Sequence, residues 1–396
     1  MKLEFLDLGK QPIANWFIEG DIPEDEFFFN LKVVFDEETK LVSLAEFVKP
    51  ELMFNDSYVY VSSMSKTMRD HFEDTALSFK KDFNPTKVME IGSNDGVFIK
   101  NFDPSTTIAV EPCSNFAKIT HEKGYQTYPS FWTTELSKKI VEENGKQDLI
   151  FSANCMCHVQ DLDDAFTAIS QTLSDDGVFV FEDPSLQKML SRNSYDQIYD
   201  EHAHIFSVIA LNNILKKHGM DIFRVDNLSV HGGSNRIYVK KTSNNNIKIE
   251  NSVEENLALE KEEGLEDYER YLVFADFVAR SKTNLLNLLR QYKDQNKKIV
   301  SYGATSKSTT VFNYCGISTN YIDCIVDTTP NKQGKLSPGT HIPVVSPEEG
   351  FNSEVDVAFL GAWNYEKEIL EKEEQFLARG GQFVTHVPEV RVLNDK

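Results

Sequence analysis

Tyr199-Asp200-Glu201-His202-Ala203-His204 gathers four ionisable side chains and a tyrosine into six consecutive residues. An imidazole whose pKa sits at about 6.5 takes and gives protons at working pH. An adjacent carboxylate can orient the ring or raise its basicity, so general acid–base chemistry is one reading. Two histidines two apart on a strand would point the same way and could share a metal, which is a second. An exposed polar turn is the third. Cys155-Met156-Cys157-His158 has metal-like residue types, but no partner pair lies at a suitable spacing. Small thiols after a buried strand also pack well, and His158 could face a ligand cleft from the strand end.

Glu90-Ile91-Gly92-Ser93-Asn94-Asp95-Gly96 lies between a predicted strand, Val88-Met89-Glu90-Ile91, and a predicted helix from Val97 to Phe102. Glycines there let the chain turn sharply and let a ligand approach the backbone, while the helix start offers free N–H groups. The spacing is GxxxG rather than GxGxxG, so a pyrophosphate fits poorly. Glu111 follows the next strand and can accept both hydroxyls of a ribose. A further strand ends at Ser152-Ala153-Asn154, on the edge where open sheets bind ligands. Glu90, Gly92, Asn94, Asp95, Gly96, Glu111, Ala153 and Asn154 together suit an adenosine ligand without a pyrophosphate, and S-adenosylmethionine meets that description.

A second strand–glycine–helix junction, Tyr302-Gly303-Ala304-Thr305-Ser306-Lys307-Ser308-Thr309, puts hydroxyls and a cation at a helix start. It lacks Walker spacing, and it reads equally as a phosphate pocket or as ordinary capping. Lys332, in Asp327-Thr328-Thr329-Pro330-Asn331-Lys332, supplies a cation beyond the next strand. Val230-His231-Gly232-Gly233-Ser234-Asn235-Arg236 joins two β-prone runs. It is either a plain hairpin or a close-approach loop that brings His231 and Arg236 to a ligand.

These residues need a scaffold, and 396 residues suffice for two or three domains. Strands at Val88–Ile91, Thr107–Val110, Asp148–Phe151 and Gly177–Phe181 alternate with helical stretches such as Thr133–Glu143 and Leu162–Leu173. That pattern predicts a parallel sheet with helices on both faces. Residues 241–296 form a charged helical connector in which Leu272, Phe274, Phe277, Val278 and Leu285 mark the buried face. A second, smaller strand–helix series starts at 297. Before about 85 the chain mixes short β-prone runs with a helical pattern from Thr67 to Phe79. The fold class expected is α/β, with a Rossmann-like domain at 67–240, a second Rossmann-like domain at 297–396 and a small mixed domain at 1–66.

The chain is 40% hydrophobic, with a net charge of −21 and a mean hydropathy of −0.38. So acidic a surface argues against nucleic-acid or membrane partners. Five cysteines without a CxxC pair suggest reduced thiols, and the acidic start lacks a signal peptide's apolar run, so a cytoplasmic protein is expected. The oligomeric state is open, with a monomer favoured.

The ordered motifs resemble the sugar C-methyltransferases of bacterial deoxysugar pathways, which act on nucleotide-linked 4-keto sugars. Leu6-Asp7-Leu8-Gly9-Lys10-Gln11-Pro12-Ile13-Ala14-Asn15, the Glu90–Gly96 loop, Tyr199-Asp200-Glu201-His202, Val230–Ser234, Asn313-Tyr314-Cys315-Gly316-Ile317, Lys332-Gln333-Gly334 and Pro338-Gly339-Thr340-His341-Ile342-Pro343 carry the likeness in order. The resemblance implies S-adenosylmethionine as cofactor and a nucleotide-sugar substrate. It makes Tyr199, Glu201 and His202 the catalytic cluster, with His202 as base oriented by Glu201. His158 and a tyrosine of Tyr58-Val59-Tyr60 then face the sugar. Tyr199 or His158 is expected to donate to the enolate oxygen, and Lys307, Lys332, His231 and Arg236, read from their own loops, are the remaining substrate-side candidates. The family's amino-terminal domain binds zinc through paired CxxC ligands. Here Asp36-Glu37-Glu38-Thr39 stands near the second pair and no cysteine precedes Cys113, so that site cannot form and no metal is expected. An O-methyltransferase, a C-methyltransferase for another keto compound, and a non-catalytic or NAD-type nucleotide-binding protein are the competing readings.

Overall fold

The computed structural model describes residues 1–393. Its centre is a seven-stranded sheet built from β4 (Val88–Ile91), β5 (Thr107–Val110), β6 (Gln126–Tyr128), β7 (Gln147–Ala153), β8 (Leu173–Pro184), β10 (Met220–Leu228) and β11 (Ser234–Lys241). Their order is β10-β11-β8-β7-β4-β5-β6. The strands run parallel except that β11 is antiparallel to both β8 and β10, so a hairpin edges the expected parallel sheet. All four residues of β4 and of β5 are buried, as strands covered on both faces require. One face is covered by the helix Lys66–Phe83, which lays Met68, Phe72, Ala76 and Phe79 on Val88, Phe151, Val180 and Tyr238. Ser65 caps that helix by accepting the Met68 N–H, and Asn84 ends it at a φ of 45°. Strand order reverses between β4 and β7, and ligands of open α/β sheets sit at that crevice.

The predicted helix from Val97 to Phe102 is absent; only a single turn, Ile99–Asn101, forms. Val97, Phe98, Ile99 and Phe102 are all buried with the Lys66–Phe83 helix, so this segment plugs the core, and only Lys100 in it is exposed. The first glycine loop therefore has no helix start to offer an anion.

The amino-terminal segment makes an antiparallel sheet of β1 (Lys2–Pro12), β2 (Phe28–Asp36) and β3 (Val42–Leu44), completed by β9 (His204–Ile205) from far along the chain. The chain is thus stitched into the amino-terminal sheet two residues after His202. The carboxyl-terminal sheet orders β12 (Ile299–Tyr302), β13 (Ile325–Val326), β14 (Val344–Val345), β15 (Val357–Leu360), β16 (Gln382–Thr385) and β17 (Arg391–Leu393) as β14-β13-β12-β15-β16-β17. It is parallel apart from its last strand.

Two helices fill the connector. In Asn251–Glu262, the Glu260 carboxylate accepts the N–H groups of Val208 (2.8 Å) and Ile209 (2.9 Å) at the start of the helix Val208–Lys217. Tyr268–Asp294 buries Tyr271, Phe274, Val278, Leu285 and Leu289 in one cluster shared with β1–β3 and β12. Leu272, expected on that buried face, is 39% exposed because it falls just off the stripe.

Candidate active site

A cavity of about 1220 Å³ lies where the carboxyl ends of β4, β5, β7 and β12 converge. On the β4 side, Gly92, Asn94, Glu111, Ala153 and Asn154 line it. Asn94 and Asn154 take left-handed φ values of 46° and 49°, which turn the main chain at both sides of the crevice. The Glu111 carboxylate accepts the N–H groups of Asn94 (2.7 Å) and Cys113 (2.9 Å), and burial raises its pKa. Each of its oxygens keeps acceptor capacity for a hydroxyl. The Asn94 amide is spent on the main chain, accepting from Ser62 N–H and donating to the Tyr60 carbonyl.

Three residues expected here do not line the cavity: Glu90, Asp95 and Gly96. Burial, with Glu111 and Asp95 nearby, holds the Glu90 carboxyl well above its ordinary range. Gly96 is needed for packing instead, since a Cβ there would stand 2.9 Å from Thr120 Cγ2 at a φ of 79°. What the crevice offers an adenosine cofactor is a carboxylate beside backbone bent out of the way, and those features fit S-adenosylmethionine.

The centre of the cavity is a run of rings. Phe54 stacks on His158 at 5.2 Å, His158 on His202 at 5.5 Å, and His202 lies 4.1 Å from the Tyr199 ring. His202 is 6% exposed. Its Nδ1 lies 2.7 Å from the Gln197 carbonyl oxygen, which can only accept, so Nδ1 carries the hydrogen. Nε2 is left with a free lone pair. Burial, followed by the field of His158, depresses the His202 pKa well below its ordinary value. Burial alone lowers that of His158 to about 4. Both rings are therefore neutral at physiological pH.

Glu201 does not orient this ring. Its Oε1 accepts from Asn15 Nδ2 at 2.6 Å and its Oε2 from the Tyr58 hydroxyl at 3.2 Å. Burial raises its pKa, and that of Asp200 beside it, whose Oδ1 accepts the Ala14 N–H. The amino-terminal segment thus keeps a place in the site without zinc ligands: its Ala14–Asn15 turn grips the acidic pair directly. His204 shares nothing with His202. Its Nδ1 lies 2.9 Å from Ser43 Oγ and its Nε2 3.3 Å from the Gln160 carbonyl, so it is a strand-pairing residue and no metal is shared between the two.

Tyr58, Tyr60, His231, Lys307 and Lys332 also line the cavity, and Arg236 does not. Arg236 Nε donates to Glu182 at 2.6 Å, the same carboxylate that meets His71 Nε2 at 2.6 Å. A buried cation so paired is a structural clamp between β8, β11 and the Lys66–Phe83 helix. The Val230–Ser234 segment closes the β10–β11 hairpin and still carries His231 to the cavity. In the second glycine loop the hydroxyls are caps: Thr305 Oγ1 accepts the Ser308 N–H, and Ser308 Oγ accepts the Thr305 N–H, at the start of the helix Ser306–Cys315. Thr309 and Thr310 donate to the carbonyls of Ala14 and Ile198. Lys332 donates to the Ala304 carbonyl at 2.7 Å, whereas Lys307 has no hydrogen-bond partner among the described residues. Burial lowers the pKa of each lysine.

Ligand atoms of Cys157, His158 and His202 lie within 4.8 Å of one another, a grouping able in principle to hold a metal. The thiol is pushed well above its ordinary range by burial and by Asp183. Metals take the thiolate, so this trio is better suited to the chemistry of neutral imidazoles. Asn15 and the Gln197 carbonyl were not singled out from sequence as site groups. Asn15 carried a signal in the amino-terminal motif; a main-chain oxygen carries none.

Family models match three successive stretches: a zinc binding domain at 1–54, a methyltransferase domain at 60–225 and a C-methyltransferase C-terminal domain at 229–388. The first stretch contains neither cysteine nor histidine. The chain is 30% identical to the C-methyltransferase NovU of Streptomyces niveus, over 99% of this chain and 94% of that one. Among solved structures, an S-adenosylmethionine-dependent methyltransferase from Clostridium acetobutylicum ATCC 824 overlaps 44% of this chain and 92% of its own, at 17% identity and a TM-score of 0.35. The magnesium protoporphyrin IX methyltransferase of Synechocystis PCC 6803 with bound SAH overlaps 45% and 89%, at 12% identity and a TM-score of 0.34.

Proposed function

We propose that this chain, which belongs to the C-methyltransferase family and takes its methyl group from S-adenosylmethionine, methylates a carbon next to the ketone of a nucleotide-linked keto-deoxysugar, with His202 as the base. One observation carries the reading: His202 lines the cavity and is held in the tautomer that leaves Nε2 bare, in a setting that keeps it unprotonated. The chemistry that bound S-adenosylmethionine supplies is an electrophilic methyl on a positively charged sulfur. Nε2 removes the proton from the substrate carbon, and the C–H electron pair moves toward the ketone oxygen. The Tyr199 hydroxyl, or His158 as second candidate, donates to that oxygen as its charge grows. Holding carbon and methyl in line supplies much of the acceleration. Glu111, Ala153 and Asn154 hold the cofactor in this account, and Tyr58 and Tyr60 border the sugar.

The nucleotide follows from charge. Lys307 and Lys332 are half-buried cations that line the cavity on the carboxyl-terminal side, with Lys372 a third, more exposed one, in a chain whose net charge is −21. A pair of phosphates is the natural counter-ion. A second cavity of about 560 Å³ shares Tyr58, Val59, Val61, Pro330 and Asn331 with the first and leaves room beyond the phosphates. Mass spectrometry of products from a panel of keto-sugar nucleotides, with isotope-labelled methyl donor, tests this. A labelled C-methyl product supports it; a labelled methoxy product, or none from any keto sugar, overturns it.

A further inference from the structure

Beyond the cavity, a buried polar cluster joins the methyltransferase and carboxyl-terminal domains. Asp196 is fully buried on the turn Tyr195–Gln197. Its Oδ2 accepts from the Trp363 indole at 2.6 Å and lies 3.2 Å from His386 Nε2. Trp363 and His386 follow the carboxyl ends of β15 and β16. The same turn is gripped at two further points. Thr310 Oγ1 donates to the Ile198 carbonyl, and the Tyr195 ring packs edge-on against Tyr314 and His386 at 5.9 and 5.4 Å.

Burying a carboxylate is costly unless its partners compensate. A cluster that serves only to hold two sheets together could be apolar at less cost. What distinguishes this turn is the next residue: the Gln197 carbonyl receives the His202 Nδ1 hydrogen. Trp363 also packs on the loop that carries His231, since a Cβ on Gly232 would stand 2.5 Å from its ring. The field of Asp196 also reaches Lys307 in the cavity.

We propose that Asp196, held by the Trp363 indole with His386 packed beside it, is a positioning residue for His202: the carboxyl-terminal domain fixes the turn whose Gln197 carbonyl selects the imidazole tautomer and aims Nε2 at the substrate. The effect on turnover rests on His202 being the base, whereas the effect on the ring does not. In 15N-histidine-labelled protein without substrate, with His202→Asn used to identify the signal, His202 is expected as a single Nδ1–H tautomer. Trp363→Phe keeps an aromatic ring but deletes the N–H, and Asp196→Ala deletes the acceptor. Both should yield a tautomer mixture at His202 and lower kcat by about 10- to 100-fold, with KM within about twofold. Asp196→Asn retains an acceptor oxygen and should recover most of both. The proposal is overturned if either folded variant keeps the wild-type His202 signal, because a merely structural Asp196 would lower the melting temperature and leave the tautomer in place. If no keto sugar is methylated, the functional reading fails and the tautomer result still stands.

Discussion

The two glycine loops of this chain occupy equivalent places, each at the carboxyl end of the strand where its sheet's order reverses, and they differ in the element that follows and in the cations beside it. The Glu90–Gly96 loop is followed by a buried plug instead of a helix, and the nearest charge lining the cavity is the Glu111 carboxylate. The Tyr302–Lys307 loop caps a ten-residue helix and brings Lys307 to the same cavity. Each wall carries an acid, since Asp327 Oδ2 accepts the Ala304 N–H of the second loop at 2.6 Å much as Glu111 accepts that of Asn94 in the first. What sets the second wall apart is the half-buried pair Lys307 and Lys332, and the proposed phosphate ester belongs on that side and the sulfonium on the other. Similar strand–glycine–turn sequences thus say little about ligand charge until the next element is known.

That contrast can be broken at several points. The largest effect is expected between the two walls. His202→Asn should lower kcat by about 10²- to 10⁴-fold with S-adenosylhomocysteine affinity within about twofold, measured by turnover and calorimetry. On the basic wall, Lys307→Met should raise KM for a sugar nucleotide by about 10- to 100-fold and leave S-adenosylhomocysteine binding alone. Were it to weaken S-adenosylhomocysteine equally, the division of labour would be wrong. On the other wall, Glu111→Gln should do the reverse, weakening S-adenosylhomocysteine by about tenfold in calorimetry. It should also lower the melting temperature, because the carboxylate holds two main-chain N–H groups.

A smaller effect concerns pH. A buried neutral histidine refuses a proton that the unfolded chain accepts, so its contribution is complete above about pH 6.5 and stability falls as pH drops from there toward the folded value. For His204 that value is about 4. His204→Gln should therefore flatten the loss of stability between pH 6.5 and 4 by about 1–3 kcal/mol in denaturant titrations. The same sign applies to His202, the proposed base. Because the His202 pKa is depressed, the acid limb of kcat that it controls should lie below pH 6.5.

Much of this was legible in the sequence. β4 and β5 were readable to the residue because four consecutive apolar-rich positions between turn signals leave little choice. The Tyr199–His202 cluster and the cavity-lining Lys307 and Lys332 were readable from residue type. The Val97–Phe102 segment was not, since an apolar run without a period looks alike in a helix and in a core plug. Arg236 was misread because a cation beside a glycine loop looks like a ligand contact, while its partner Glu182 lies on another strand, 54 positions away. Glu201 was misassigned for a related reason: adjacency in sequence suggested that it orients His202, whereas successive side chains diverge and the ring turns to a main-chain oxygen. Domain composition was only partly readable, because β9 crosses from the catalytic segment into the amino-terminal sheet and no local pattern announces that pairing.

Solvent exchange tests the central claim most directly. With a keto-sugar nucleotide and S-adenosylhomocysteine in deuterated buffer, the hydrogen on the carbon to be methylated should exchange in the wild type and stay in place with His202→Asn. Methylation that proceeds in the wild type without any such exchange, while the His202→Asn protein turns over at the wild-type rate, would contradict the account.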